Sequence, residues 1–379
     1  MSHDHHALDA HLPRIARALR RLPLTEALPT PVEPVDLPDA AGLAPPPGGL
    51  WVKRDDQTGT RYGGNKVRKL EYILADAMDK GHDTLWTTGA IGSHHALATA
   101  LFAQQRGLEV HVLHFPQPIT PHVVTNLRAL VATGAHLRLA TTRARVPVEG
   151  VRDHLERWIA GRVREYIVPA GGSSPLGVLG YVNAAFELAD QVRAGAMPCP
   201  ARIYVALGSA GTFAGLWLGV RLAKLPVEVV GVRVVDLLFC NAVVAAHLAA
   251  QTLAMLHDLD PTIEVFPIHA SDLAVRHTAF GDGYGESTRG GLRAMELFES
   301  AGVHLDQTYT GKTAAAMLDD LARPNLRPDG PVLFWNTLSS ADLAPLIDSV
   351  PFDALPEPYL AFIREHGGDT PDGHAPGDA

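Results

Sequence analysis

Short β-rich runs alternate with longer helical patterns from about residue 83 onward, and this alternation constrains the fold more than any other feature of the chain. The first series predicts strands and helices in turn at 83–88, 93–106, 110–115, 121–133 and 137–139. A second series predicts helices at 175–193, 212–223, 286–301 and 312–322 and strands at 203–207, 227–235, 263–267 and 332–335. Strands separated by helices imply parallel pairing with helices covering the sheet. We therefore predict an α/β fold.

The length of 379 residues is comfortable for two domains. Two α/β series then suggest two lobes with a cleft between them. Ligands bind in such clefts and at the carboxyl ends of parallel strands. We expect the ligand site there.

Composition narrows the choice of partners. The net charge is −9 and no basic face stands out, which argues against nucleic acid. The longest apolar region, 227–250, is broken by charged and polar residues before it reaches the roughly 20 apolar residues that span a membrane. The two cysteines, Cys199 and Cys240, form neither a disulfide framework nor a CxxC metal or redox pair. We expect a cytoplasmic protein that binds a small molecule, with no membrane partner.

Lys66 directly follows the turn Gly63-Gly64-Asn65 and directly precedes a strong helix pattern. Glycine has no Cβ, so an amine at this junction can approach a planar cofactor closely. Lysine also forms Schiff bases with carbonyl cofactors such as pyridoxal 5'-phosphate (PLP). The alternative is that Lys66 is one of 32 basic residues and is simply solvated.

The run Gly208-Ser209-Ala210-Gly211-Thr212 lies between the predicted strand 203–207 and the helix that follows. In this context backbone N–H groups at a helix N-terminus cradle a phosphate. The spacing is neither that of a P-loop nor that of a dinucleotide fingerprint. A plain strand–helix turn is the alternative.

Ser93 falls at the N-cap of the helix after the run Thr87–Gly92. A helix start favours an anion such as a substrate carboxylate, although Ser93 could also be only a cap. The adjacent His94 and His95 are unsuited to share one metal ion, because neighbours on a helix do not share a face.

Tyr284 and Tyr309 are flanked by glycines in GYG (283–285) and YTGK (309–312), which places them on loops where a phenol can point into a cleft. A buried structural tyrosine is the common alternative. Thr337 lies where the strand 332–335 runs into a hydroxyl-rich turn. A hydroxyl at this strand end could meet a ring nitrogen.

These segments resemble one known family when they are taken together and in order. The matching runs are GGNKVRKLEYILADA (63–77), TTGAIGSHHALATA (87–100), VALGSAGTFAGL (205–216), GYG, YTGK and the Thr337 turn. Over roughly residues 22 to 345 the chain is similar to the D-cysteine desulfhydrase and aminocyclopropane-carboxylate (ACC) deaminase family. The resemblance implies the two-lobed, three-layer, tryptophan-synthase-β-like PLP fold (fold type II). It implies a large lobe of 1–66 and 172–366 and a small inserted lobe of 67–171. The stretch 367–379 is rich in Gly, Asp and Pro with almost nothing to bury, which predicts a disordered tail.

The resemblance also implies a role for each candidate residue. Catalytic roles fall on Lys66 as the Schiff-base lysine, Ser93, Tyr284 and Tyr309. Cofactor contacts fall on Asn65, Lys66, His94, Gly208, Ser209, Ala210, Gly211, Thr212 and Thr337. Substrate contacts fall on Ser93, His94, His95, Tyr284 and Tyr309. The family is usually homodimeric, and no resident metal is implied.

The implied chemistry is elimination. PLP is an electron sink, and the protein supplies orientation and electrostatics. A neutral Thr337 hydroxyl at the ring nitrogen would leave that nitrogen unprotonated, which favours loss of a β-leaving group soon after Cα–H removal. The freed Lys66 amine is the natural base for that proton. We expect α,β-elimination from a small amino acid, with D-cysteine giving pyruvate, ammonia and hydrogen sulfide.

Two positions separate the possible substrates. ACC deaminases carry Glu in a YEGK pattern where this chain has Thr310, so ACC ranks below D-cysteine. The family reads Ser-Asn-His where this chain has His94, and it has Gly-Gly where this chain has Leu338-Ser339. These departures leave open ACC deamination, elimination from another β-substituted amino acid, and a PLP-binding protein with diverged or lost activity. A histidine metalloprotein is a further alternative, but no HExxH motif supports it.

Overall fold

Strands and helices alternate along the chain, as the computed structural model shows for residues 6–38, 45–159, 161, 165–238 and 240–367. The strands are β1 (Val32–Pro34), β2 (Leu50–Lys53), β3 (Thr84–Ala90), β4 (Glu109–Phe115), β5 (His136–Leu139), β6 (Glu165–Ile167), β7 (Arg202–Leu207), β8 (Glu228–Arg233), β9 (Ala274–Arg276) and β10 (Val332–Trp335). The helices are α1 (Ala7–His11), α2 (Pro13–Ala18), α3 (Asn65–Asp79), α4 (His94–Gln104), α5 (Pro121–Ala132), α6 (Val146–Ile159), α7 (Pro175–Arg193), α8 (Gly211–Leu222), α9 (Ala242–Leu259), α10 (Arg289–Ser300), α11 (Thr310–Ala322), α12 (Ala344–Ile347) and α13 (Glu357–His366). Short 3₁₀ turns lie at Asp55–Gln57, Arg143–Arg145, Ala170–Gly172, Ala270–Asp272 and Phe352–Ala354.

The larger unit comprises Met1–Tyr72 and Gly172–Ala341. Its six-stranded sheet has the order β1-β2-β10-β7-β8-β9, in which β1 is antiparallel to β2 and the other pairs are parallel. Helices α7 and α8 pack closely at Gly215 of α8. A Cβ added to this glycine would lie only 2.5 Å from the Tyr181 Cβ of α7. This packing presents the start of α8 at the carboxyl end of β7, which is the edge of a parallel sheet where ligands bind.

The smaller unit comprises Ile73–Gly171 and the chain from Asp342 onward. Its four strands are all parallel, in the order β5-β4-β3-β6. A second apolar cluster joins α5 to α13 through residues such as Val124, Leu127 and Tyr359. The α/β class with parallel sheets is therefore confirmed.

Several predictions of elements and bounds differ from the structure. The segment 263–267 is not a strand, and the strand beside β8 is β9, which lies further along the chain. Pro267 in this segment has no N–H to donate to a sheet, which explains why the short β-branched run does not pair. The segment 342–366 groups with the smaller unit, whereas the resemblance placed it in the large lobe. Apart from Gly367, the predicted tail 367–379 lies outside the described residues.

Helix α9 has 18 residues and a mean hydropathy of 1.2, so among the described residues it is long and apolar enough to cross a membrane. It packs against α7 and α8, and its residues Ala245, Ala249 and Leu253 are buried in the core of the larger unit. Core helices of globular proteins have the same length and composition. The helix therefore carries no inference about a membrane.

Candidate active site

The start of α3 is fixed by a tight approach between two backbone segments. Gly64 has φ +82°, and a Cβ there would lie 2.7 Å from the Leu338 carbonyl oxygen and 2.8 Å from that of Thr337. The Asn65 N–H donates to the same Thr337 carbonyl at 3.2 Å. Only glycine combines this backbone conformation with this clearance. The Gly-Gly turn therefore sets the Thr337 turn against the residue before Lys66.

Lys66 is connected to the 208–212 turn through one side chain. Its Nζ donates to Asn65 Oδ1 at 2.7 Å, and Asn65 Nδ2 donates to Thr212 Oγ1 at 2.9 Å. Burial lowers the pKa of Lys66 to about 8, although the charge of Asp306 opposes this shift. A lysine of lowered pKa presents a larger fraction of nucleophilic neutral amine near pH 7.

The turn 208–212 leads into the N-terminus of α8. Ala210, the N-cap residue, adopts a left-handed conformation with φ 67° and makes no side-chain cap hydrogen bond. The Gly211 N–H donates to Ser173 Oγ at 3.2 Å, and Ser173 Oγ donates to Ser209 Oγ at 2.8 Å. A helix start whose N-cap residue supplies no cap, and which is lined by N–H and hydroxyl groups, is suited to a phosphate.

Lys69 is a further basic side chain at the start of α8, and the sequence reasoning missed it. Its side chain is buried, and its Nζ lies 3.0 Å from the place where a Cβ on Gly211 would stand. Burial and the charge of Lys66 hold the pKa of Lys69 well below its usual range. A dianion at the start of α8 would offset both effects. The available signal was the spacing, since residues three apart on a helix share a face.

Ser173 was also missed, and no local pattern marks it. It lies in the loop before α7, 36 residues before Ser209 in the sequence. Only the packing of α7 beside α8 brings the two hydroxyls together.

Tyr284 and Tyr309 form a hydroxyl pair with their oxygens 2.5 Å apart. The Tyr309 ring lies against the turn 208–212, since a Cβ on Gly208 would be 3.3 Å from Tyr309 Cε1. The structure thus brings both predicted tyrosines to the side of the turn 208–212.

Two buried charged residues hold the loops that carry these tyrosines. Asp306 accepts from the N–H groups of Tyr309 at 2.8 Å and of Thr310 at 2.9 Å. Lys312 Nζ donates to the carbonyls of Phe280 at 2.7 Å and Gly283 at 3.1 Å. The lysine of the YTGK run therefore orders the loop that carries Tyr284.

Ser93 and His95 lie in the smaller unit, after β3. Ser93 Oγ accepts from the Ala96 N–H at 3.2 Å, so it caps α4 as predicted from its position. His95 is buried, with its Nε2 3.0 Å from Thr87 Oγ1, and Thr87 Oγ1 donates to the Val168 carbonyl at 2.9 Å. Their assignments to a substrate stay predictions.

His94 pairs with a histidine that the sequence reasoning missed. The Nε2 atoms of His94 and His122 lie 2.8 Å apart, and the two ring centroids lie 4.7 Å apart. Asn126 Nδ2 is 3.2 Å from the same His122 nitrogen and also donates to the Gly92 carbonyl. An amide NH₂ only donates, so in its contact with Asn126 the His122 Nε2 is the acceptor.

Comparison with known proteins gives consistent similarities. A family model described as "Pyridoxal-phosphate dependent enzyme" matches residues 24–337. A D-cysteine desulfhydrase of Klebsiella pneumoniae (strain 342) is 34% identical over 332 residues, which cover 84% of this chain and 94% of the relative. One of Serratia proteamaculans (strain 568) is 36% identical over 305 residues, covering 76% and 86%. A crystal structure described as an ACC deaminase homologue covers 91% of this chain and 100% of its own, with a TM-score of 0.71 and 27% identity.

Proposed function

The chain belongs to the pyridoxal-phosphate-dependent enzyme family, and from this premise we propose that it converts D-cysteine and water to pyruvate, ammonia and hydrogen sulfide. Its cofactor is PLP, and it is a lyase of the D-cysteine desulfhydrase and ACC deaminase group. The predictions of family, cofactor and PLP-type fold are confirmed. The individual site residues remain the proposal.

One observation carries the site assignment. The amine of Lys66 is connected to the turn 208–212 through Asn65, by hydrogen bonds of 2.7 and 2.9 Å. A PLP-dependent lyase needs a lysine amine and an anion cradle within one cofactor length of each other. The bonds from Lys66 through Asn65 to Thr212 provide this arrangement within the larger unit.

The residues present fit the cofactor. A Cβ on Gly211 would meet Ser173 and Lys69, so residue 211 has no room for a side chain beside these two polar groups. The N–H groups of the turn, Ser209, Thr212 and Lys69 would hold the phosphate, the Thr337 turn would face the ring nitrogen, and Lys66 would hold the cofactor covalently. When bound, PLP supplies the electron sink that makes the amino acid Cα–H acidic.

Different side chains of this protein then carry out the different proton transfers. The Lys66 amine, once neutral, removes the Cα proton as general base. The hydroxyl oxygens of Tyr284 and Tyr309 lie 2.5 Å apart and either phenol can donate to the other, so the accepting phenol keeps its own proton for a departing thiolate. The hydrogen bonds that Asp306 and Lys312 make to the two loops keep these phenols in place. The assignments of Ser93, His94 and His95 to the substrate carboxylate, the cofactor and the substrate are part of the same proposal.

A second candidate is deamination of ACC or of another β-substituted amino acid. The similarity to an ACC deaminase homologue supports it. Thr310, which stands where ACC deaminases have Glu, counts against it. Its hydroxyl donates to Asp306 Oδ1 at 2.6 Å and so stabilises the start of α11. A third candidate is a diverged PLP-binding protein, which the His94–His122 pair motivates.

The deciding experiment supplies PLP-loaded protein with D-cysteine, L-cysteine, ACC and a β-chloro amino acid in separate reactions. Keto acid and sulfide are measured together. Equal amounts of pyruvate and sulfide from D-cysteine support the proposal, whereas keto acid from ACC without sulfide selects the second candidate. A spectral change with no product from any substrate selects the third.

A methyl group at residue 211 tests the phosphate cradle. Gly211→Ala places a Cβ 2.7 Å from Ser173 Oγ and 3.0 Å from Lys69 Nζ. Displacing such neighbours costs about 1–3 kcal/mol. We expect PLP affinity, measured by equilibrium dialysis, to fall roughly tenfold to a hundredfold, since each 1.4 kcal/mol is a factor of ten. The control is Gly290→Ala, also in the first turn of a helix, where the nearest atom is 3.4 Å away. Equal affinity in both variants would contradict the cradle.

The lowered pKa of Lys66 predicts how cofactor uptake depends on pH. Only the neutral amine attacks the aldehyde, so the rate at which cofactor-free protein takes up PLP should rise with pH and reach half its maximum near the pKa of about 8. A blocked lysine peptide, whose amine has its ordinary pKa of about 10.4, should reach half its maximum some two units higher. The measurement is the absorbance change after rapid mixing. A protein midpoint that coincides with that of the peptide would refute the lowered pKa.

We also propose that the protein works in the cytoplasm as a homodimer. Cys240 is buried and Cys199 is partly buried, and both are free thiols, which fits a reducing compartment. The dimer rests on the family resemblance, and light scattering on the purified protein tests it.

A further inference from the structure

We propose that Glu109, His111 and His136 form a binding site for one divalent transition-metal ion, with Zn²⁺ as the probe. The ligand atoms of the three side chains all lie within 4.8 Å of one another. The proposal is independent of the PLP chemistry and uses residues that the function leaves unassigned.

The sheet register brings the three side chains together. His111 of β4 and His136 of β5 are directly paired residues on neighbouring parallel strands. Their rings stack with centroids 4.5 Å apart and an angle of 18° between planes. Glu109 lies two residues before His111, on the same face of β4, with its Oε2 3.9 Å from His111 Nε2.

The donor set selects the class of metal. Two imidazoles and one carboxylate suit Zn²⁺ and neighbouring transition metals, whereas Mg²⁺ and Ca²⁺ prefer oxygen ligands alone. Tetrahedral zinc with bonds of about 2.0–2.1 Å separates its ligand atoms by roughly 3.3 Å. The Glu109 side chain is 58% exposed, so it can rotate inward to close the remaining gap. Three protein ligands would leave one position for water.

Nearby charge does not oppose a cation. Arg138 lies two residues after His136 on the same face of β5, but its guanidinium is bound by Asp153 and by Glu156. His111 is only 12% exposed, so one ligand is held firmly while the others reach solvent. A metal ion can therefore enter from solvent and find a fixed ligand.

The position indicates what the ion would do. β5 is the end strand of the four-stranded sheet, and an end strand is held on one side only. A metal bridging His136 to Glu109 and His111 would tie β5 to β4. Glu109 and Thr84 pair at the amino ends of their strands, whereas Ser93 follows the carboxyl end of β3, so the metal site and Ser93 lie at opposite ends of this sheet.

Titration calorimetry of the tag-free full chain with Zn²⁺ tests the proposal. His3 and His5 are both changed to Ala in every sample, so that terminal histidines do not compete. We expect one zinc ion per chain, binding at least roughly tenfold weaker in His111→Gln, His136→Gln and Glu109→Gln, because even residues behind metal ligands contribute such factors. Zn²⁺ should also raise the melting temperature of the unsubstituted site and leave that of His136→Gln unchanged. Mg²⁺ at the same concentration should produce no heat.

Two control variants separate this site from other histidines. His304→Gln removes an exposed histidine that contacts one carboxylate, Glu299, and should leave zinc binding unchanged. His122→Gln breaks the His94–His122 pair and should also leave it unchanged. Loss of zinc binding in His122→Gln, or its retention in His136→Gln, would overturn the proposal. Circular dichroism without metal verifies that each variant is folded.

Discussion

Lys66→Ala is expected to lower the rate of keto acid formation by at least about 10³-fold, within the range that a positioned general base contributes. The visible absorbance that PLP acquires when it joins the protein should be lost as well. Both effects have one physical cause in the proposal, because there the same amine holds the cofactor and removes the Cα proton. Measurement of product and of the absorbance spectrum on one sample checks both.

The variant leaves the phosphate cradle intact, and this makes the test specific. Residues 208–212, Ser173 and Lys69 are unchanged, so PLP should still bind non-covalently in equilibrium dialysis. The matched control is Lys80→Ala, just after α3, where a lysine that is 58% exposed pairs with Asp76 at 2.7 Å. Full absorbance and turnover in Lys66→Ala would place the reactive amine elsewhere.

Glu187→Ala is expected to lower the free energy of unfolding by about 3–5 kcal/mol, the cost of removing one partner from a buried ion pair. Glu187 lies on α7 and accepts from Lys53 Nζ at 2.5 Å and from Arg68 at 3.0 Å. Arg68 is also bound to Asp55 at 2.7 Å. These four side chains are all buried, so the variant leaves Lys53 without a charged partner. Urea denaturation measures the loss.

The pKa of Glu187 sets the pH range of this contribution. Burial alone would raise it, but the charges of Arg68 and Lys53 hold the pKa of Glu187 well below its usual range. A lowered folded pKa gives stabilisation that is fully present above the ordinary value of about 4.3 and is lost as pH falls toward the folded value. The difference between the natural protein and Glu187→Ala should therefore shrink as the pH falls below about 4.

A partly exposed ion pair with the same N–O distance supplies the control for Glu187→Ala. Glu228 meets Arg202 at 2.5 Å, but its side chain is 47% exposed. Glu228→Ala should cost at most about 1 kcal/mol, because exposed pairs are screened by water. Equal losses in both variants would mean that burial does not govern the Glu187 network.

This network also matters for the candidate site. Arg68 follows Lys66 by two residues on α3, and its bonds to Asp55 and Glu187 fix the first turn of that helix. The ion pairs of Arg68 therefore help to place the backbone that carries Lys66. A partial loss of turnover in Glu187→Ala, without loss of PLP, would agree with this.

Local patterns in the sequence determined the class of fold and the first members of the candidate site. The alternation of β-rich and helical runs can be recognised from consecutive residues alone. The parallel sheets were therefore predicted correctly. The glycine turn before Lys66, the helix cap at Ser93 and the small-residue turn 208–212 are also local, since each depends on backbone conformation over a few positions. The short β-branched run at 263–267 was a local signal that misled. In the folded chain β8 pairs with β9 and not with this run.

Tertiary structure decided which distant residues meet. Ser173 and Ser209, Tyr284 and Tyr309, His94 and His122, and His111 and His136 are joined only by helix packing, loop order or strand register. Residues 342–366 joined the smaller unit for the same reason, because α13 buries its apolar face against α5. A sequence specifies such contacts through the summed packing of the whole core, and no short segment carries that information by itself.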